Sequence, residues 1–175
     1  LPIHRPRRLQ NPVGETARAL EPGGSIEFFR KAKKQGLVRH LGMSIHWPHS
    51  TAMRLRTACD DYDVIMPFIN YIARAEEQAA SEEEDVFALA RKRNLGIVAM
   101  KVLGGNPGKL SEDYDRAFRF ALSQPGVACA LIGVQNIRDV NRAVEAAHAF
   151  TPMTDTEIEE SLRRGAEHTR LQTSA

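Results

Sequence analysis

The sequence predicts an α/β fold, and within that class about the C-terminal half of an eight-stranded (β/α)8 TIM barrel. Three observations carry this. Four apolar runs of similar design recur, in Leu37-Val38-Arg39-His40-Leu41-Gly42-Met43-Ser44, Val64-Ile65-Met66-Pro67-Phe68-Ile69-Asn70, Ile97-Val98-Ala99-Met100-Lys101-Val102 and Val127-Ala128-Cys129-Ala130-Leu131-Ile132-Gly133. They alternate with helical patterns, which means buried parallel strands joined by helical crossovers. Those helices cover one face of a sheet and leave nothing for the other, a problem that a barrel solves by packing its inward side chains together. A whole barrel takes about 250 residues, and 175 residues supply roughly its second half: four complete β/α units, a strand stub and a C-terminal helix.

Leu1-Pro2-Ile3-His4 resembles the end of a strand, so the chain is expected to be a fragment that starts inside a barrel. Residues 5–24, rich in Pro, Gly and Arg, are expected to form a loop with one helical turn near 16–20. A helix over 25–35 places Ile26, Phe29 and Ala32 at helical spacing, and Gly36 stands where a left-handed cap would end it. Strand 37–43 follows. Ser50 caps a helix over 50–59 with Met53, Leu55 and Ala58 inward, and strand 64–69 follows the Asp60-Asp61-Tyr62-Asp63 turn. Ser81-Glu82-Glu83-Glu84 is a capping box whose helix closes on Arg91-Lys92-Arg93, so both ends complement the helix dipole. Asn94-Leu95-Gly96 stops that helix before strand 97–102, and Gly104-Gly105-Asn106-Pro107-Gly108 is a loop. A helix over 112–123 is stopped by Pro125-Gly126 ahead of strand 127–133. The helix over 137–148 opens on Asn136, and the last helix, 155–168, opens on a second capping box of Thr154 and Glu157, with 173–175 frayed. One domain, 1–175, thus comprises a stub and loop (1–24), four strands with helices (25–150) and a helix with tail (151–175).

Composition is that of an ordinary globular domain, 42% hydrophobic and 26% charged. With 24 basic and 22 acidic residues, the net charge of +2 gives no single-sign field for nucleic acid or an anionic membrane, and Arg5-Pro6-Arg7-Arg8 is a solvated loop. No stretch reaches the roughly 18 apolar residues of a membrane span, and a cytoplasmic location is expected. Cys59 and Cys129 are expected as buried thiols in a reducing compartment. Phe118, Phe120, Met53 and Met66 are expected in the core.

Ligands of parallel sheets bind beyond the carboxyl ends of the strands, where Ser44, Asn70, Lys101 and Gly133 stand. Gly133 permits close backbone approach, and free amides opening the helix at Asn136 make an anion site.

Taken together these segments resemble the C-terminal half of the aldo-keto reductases, barrel enzymes that move a hydride between a nicotinamide cofactor and a carbonyl. The stretch from Gly36 to Ser44 is similar to that family's fifth strand and the one from Tyr62 to Asn70 to its sixth. Asn94-Leu95-Gly96-Ile97-Val98-Ala99-Met100-Lys101-Val102-Leu103-Gly104-Gly105 is similar to the seventh, in the subgroup with Met-Lys where others have Tyr-Ser. Ala117 to Asn136 is similar to the helix and strand that follow, and the likeness spans about residues 25–160.

The resemblance implies an NAD(P)-dependent oxidoreductase acting on small aldehydes or ketones, with NADP, or NAD, as cofactor. Ser44 would bond the nicotinamide carboxamide, although Ile45 and Met66 replace polar residues expected beside it. Asn70 remains as a polar strand end. Met100 takes the place of the ring that stacks on nicotinamide, and Lys101, Leu103 and Gly104 would run beneath the pyrophosphate. Gly133, Val134, Gln135, Asn136, Asp139 and Arg142 would face the adenosine phosphate. Asp139 would repel a 2′-phosphate and could accept from a free ribose hydroxyl, and Arg138 or Arg142 could supply the basic group. The family's acid tyrosine, lysine and aspartate lie in the half that these residues do not contain, and the family's catalytic histidine falls on His4. The chain alone is therefore expected to be inactive.

Rival readings attach to single residues. Lys101 at a strand end could form a Schiff base in an aldolase. His46 and His49 flank Trp47-Pro48, a loop over a pocket sooner than a metal pair. Tyr71 could replace the missing acid, but a packed tyrosine is the plainer expectation. A non-catalytic half barrel that binds cofactor and associates with itself or another chain through open sheet edges is the alternative function.

Overall fold

A computed structural model of the chain describes residues 21–45, 61–80, 86–105 and 108–173. Four short strands, β1 (Gly42–Ile45), β2 (Val64–Pro67), β3 (Gly96–Ala99) and β4 (Val127–Ala130), form one sheet in sequential order with every pair parallel. The described helices are α1 (Ser25–Lys34), α2 (Tyr71–Ala80), α3 (Val86–Lys92), α4 (Tyr114–Leu122), α5 (Ile137–His148) and α6 (Asp155–Thr173). Sequential parallel order with intervening helices is the topology of one arc of a β/α barrel. No described helix is long and apolar enough to cross a membrane.

α1 buries Ile26 and Ala32 and ends in a Schellman turn. Gly36 has φ +72°, its amide donates to Lys33 O at 3.0 Å, and the Leu37 amide donates to Ala32 O at 3.0 Å. That cap explains why the chain joins the sheet at Gly42, not at residue 37 as the apolar run suggests. The Leu37 amide serves the helix, and the Leu41 amide donates to Asp63 Oδ2 at 2.8 Å in place of a strand neighbour. Asp63 also accepts from Lys33 Nζ at 2.9 Å, and Arg30 pairs with Asp61 at 2.6 Å. These ion pairs staple α1 to the amino end of β2.

One face of the sheet carries the core. Ile65, Ile69, Ile97 and Val102 form a core with Phe87, Ala90 and Ala121 from α3 and α4. The alternate residues Val64, Met66 and Val98 are only half-buried. The helices thus cover one face and leave the other open, as expected from the sequence, whereas Met66 in the core is corrected: the concave side of an arc is covered only where a barrel closes. Phe118 and Phe120 are buried as expected, whereas Met53 lies outside the described residues. Cys129 is another correction, being exposed. It sits on β4, the end of the strand order, where the pairing skips Ala128 and no described strand lies beyond. Cys59 and the helix expected over 50–59 lie outside the described residues, as does the Ser81–Glu84 capping box.

Residues 71–80, where no element is expected from the sequence, form α2. Its cap is Asn70, whose Oδ1 accepts from the Ala73 amide at 2.9 Å. α2 packs along α6 so closely that a Cβ on Gly165 would overlap the Tyr71 carbonyl oxygen and come within 3.1 Å of the Ile72 Cα. Tyr71, Ile72, Leu110, Phe120 and Met153 form the second core beneath this pair. α6 runs on to Thr173, past the expected 168, because Thr169 Oγ1 donates to Glu76 Oε1 of α2 at 3.0 Å.

The start of α6 is fixed to α4. Arg119 donates to both oxygens of Glu157, at 2.9 and 3.2 Å, and to the carbonyl of Thr151 at 3.0 Å. The expected capping box is formed: the Thr154 amide donates to Glu157 Oε2 at 2.8 Å, and the Glu157 amide to Thr154 Oγ1 at 3.3 Å.

Two outcomes follow for stability. Gly165→Ala has to push α2 off α6 and should destabilise by about 1–3 kcal/mol, visible as a lower thermal midpoint by circular dichroism. Glu157 is held down to about 2 by Arg119 and then by the Thr154 amide. A depressed carboxylate contributes its stability above its ordinary value of 4.5 and loses it as pH falls towards about 2. The thermal midpoint of Glu157→Gln should accordingly fall less steeply than wild type between those pH values.

Candidate functional site

Beyond the carboxyl ends of β2 and β3 lies a cleft of about 370 Å³, within the range of small-molecule sites, with Phe68, Asn70, Glu76, Lys101, Gly104 and Lys109 in its lining. Its floor continues the sheet. Past the strands proper, Phe68 bridges Met100, the Met100 amide donates to Pro67 O at 2.9 Å, and the Ile69 amide donates to Met100 O at 3.0 Å.

Lys101 leaves this ladder with φ +54°, a left-handed conformation that costs a non-glycine residue about 1 kcal/mol. Two donors hold its carbonyl there, Asn70 Nδ2 at 3.0 Å and the Gly104 amide at 2.9 Å. Its ammonium lies 4.0 Å above the centre of the Phe68 ring. Gly104 (φ +80°) and Gly105 (φ +93°) continue the turn, and a Cβ on Gly104 would come within 3.0 Å of Lys109 Cβ. Glycine is required there by both backbone and space. The result is two lysines beside a glycine turn, with Glu76 on the α2 side held by Thr169.

Asn70, 4% exposed, has its carboxamide committed at both ends, to Lys101 O and to the Ala73 amide. It positions the cleft. Leu103 turns away to pack on the second core. Ser44 is exposed on β1, paired in register with Met66.

The residues after β4 gather in a separate place, the entrance of α5. Gly133, Val134, Gln135 and Asn136 are exposed, and a Cβ on Gly133 would meet nothing within 4 Å. The expectation of free amides here is corrected. Asn136 Oδ1 accepts from the amides of Arg138 (2.9 Å) and Asp139 (3.2 Å), and Asp139 Oδ2 accepts from those of Gln135 (2.8 Å) and Asn136 (3.3 Å). A carboxylate of the chain itself thus occupies the place of an anion. Arg142 lies 4.1 Å over the ring of Tyr114, which stacks on Phe118.

Tyr71 is the packed tyrosine. Its hydroxyl donates to Asp113 Oδ2 at 2.9 Å, its ring meets Phe120 edge-on at 5.9 Å, and burial followed by the Asp113 bond pushes its pKa up. A general acid is tuned in the opposite direction. His4, His46, Trp47 and His49 lie outside the described residues.

Glu76 and Lys109 were not anticipated in the sequence. The signal was present: Asn70 followed by Ile72 and Ala75 at helical spacing is an N-cap and the start of a helix, which carries Glu76 to the cleft.

No protein-family model matches the chain, and no curated protein matches it. Among solved structures it resembles an aldo-keto reductase from Bacillus halodurans in its holo form, at 19% identity and a TM-score of 0.62, over 82% of this chain and 56% of that one. At that identity the likeness shows the fold: the parallel arc and its helices are part of an α/β TIM barrel. The chain spans little more than half the length of the enzyme it matches.

Asn70→Ala removes the α2 cap and one of the two bonds on Lys101 O. A loss of about 1–2 kcal/mol is expected, read as a lower midpoint in urea, with faster amide exchange at Gly104 than in wild type.

Proposed function

We propose that this chain is the cofactor-binding half of an NAD(P)-dependent oxidoreductase of the aldo-keto reductase type, acting on small aldehydes or ketones. The observation that carries the proposal is the cleft beyond β2 and β3, where Lys101 and Lys109 flank a glycine turn on a fold shared with an aldo-keto reductase. A dinucleotide brings a doubly charged pyrophosphate, and two ammonium groups beside backbone that can be approached closely fit it. Lys101 and Lys109 would hold the phosphates, Gly104 and Gly105 would let them approach, and Asn70 keeps Lys101 in place. When bound, the nicotinamide supplies the hydride that reduces a carbonyl.

The entrance of α5 fits a phosphate less well, because Asp139 already accepts from the amides that a phosphate would use. Carbonyl reduction also needs a proton donor. Tyr71 is withdrawn from that role by its bond to Asp113, which supports a cofactor-binding half over a complete catalytic site. Schiff-base chemistry at Lys101 has the weaker support, since a ring face attracts an ammonium ion and an aldolase needs the neutral amine.

Titration of the chain with NADPH and NADH, followed by nicotinamide fluorescence, should give a saturable signal with at least one. Lys101→Ala should weaken it about ten- to a hundred-fold. A flat signal with both cofactors, from a chain that unfolds cooperatively on heating, overturns the proposal.

A further inference from the structure

Glu76 brings a carboxylate into a cleft that Lys101 and Lys109 otherwise make cationic. It is half-buried on α2, and Thr169 Oγ1 of α6 donates to its Oε1 at 3.0 Å. α2 has little room to slide under that bond, because Gly165 of α6 lies against the Tyr71 carbonyl. The carboxylate is therefore held in place by the scaffold before a ligand arrives. Among the described residues Thr169 is the group that bonds it, and an ionised carboxyl can accept about four hydrogen bonds, so Oε2 stands ready for a donor inside the cleft.

We propose that Glu76 makes this cleft selective for NAD(H) over NADP(H), accepting from the 2′-hydroxyl of the adenosine ribose. The inference rests on the assignment of the cleft as the pyrophosphate cradle. Beside a pyrophosphate alone a carboxylate is repulsive. It turns favourable where the ligand presents hydrogen-bond donors, and a ribose with hydroxyls adjoins each phosphate of a dinucleotide. Position separates the two riboses. A nicotinamide has to lie over the strand ends, on the Phe68 and Asn70 side, if its hydride is to reach a carbonyl at the barrel mouth. Asn70 caps α2, and Glu76 stands about 9 Å further along that helix, where the adenosine half is carried away from the mouth. In NADP(H) the adenosine 2′-oxygen bears a phosphate in place of a proton. The donor is then gone and a further anion faces the carboxylate, while Lys101 and Lys109 are engaged by the pyrophosphate. Selectivity thus combines attraction to one cofactor with repulsion of the other.

Titration of the 175-residue chain, followed by nicotinamide fluorescence, should return a dissociation constant for NADH about tenfold below that for NADPH. NADH lacking the adenosine 2′-hydroxyl should bind wild type about tenfold more weakly than NADH does. Glu76→Gln, with its helical circular dichroism kept, should bring NADH and NADPH within about threefold of each other and bind NADH and the deoxy analogue alike. A wild type that binds both cofactors equally or prefers NADPH, that takes the deoxy analogue as tightly as NADH, or whose preference survives in Glu76→Gln overturns selection by Glu76 and leaves the cradle standing. A folded chain that binds neither NADH nor NADPH overturns both.

Discussion

The carboxamide of Asn70 is the interaction on which the site depends. It joins three pieces of chain that would otherwise be independent: the end of β2, the first turn of α2 and the exit of β3. Because it is buried, away from water that could replace its partners, loss of either bond leaves a polar group unpaired, which costs about 1–3 kcal/mol. Lys101 can therefore stay in a left-handed conformation that its side chain does not favour, and from there it reaches the cleft.

The frame behind Asn70 is built from helices. α4 fixes the start of α6 through Arg119 and Glu157, and α6 then lies along α2, its Gly165 against the Tyr71 backbone. Direct backbone contact leaves little freedom for sliding. Tyr71 closes the circuit, bonded to Asp113 at the head of α4 and adjacent to Asn70 in sequence. A tyrosine that the sequence offers as a rival acid is a strut.

How far the fold was legible follows from the kind of signal each element carries. Periodic runs and caps are local, so α5, its cap at Asn136 and the capping box at Thr154 stand where the sequence puts them. Strand ends are decided by competition between neighbours, and the Leu37 amide was lost from the strand to a helix cap. α2 was missed because Asn70 has two credible uses, strand-end ligand and helix cap, and only three dimensions show that it serves the second. The site was legible at Lys101 and Gly104, where a strand end and a glycine pair coincide. It was not legible at Glu76 and Lys109, which reach the cleft from other elements. The amides at Asn136 looked open to an anion in sequence. The same residues that make a good cap, Asn136 and Asp139, are the ones that use those amides.

The Asp63 staple lies at the opposite ends of the strands from the cleft and shares no residue with it. Lys33 and then the Leu41 amide keep the Asp63 carboxyl below the usual carboxylate range, so it is charged at neutral pH. Substitutions at well-separated positions without common partners combine nearly additively. Mutational tolerance is thereby partitioned: substitutions on the rim of the cleft leave the amino-end ion pairs, and the scaffold they hold, untouched.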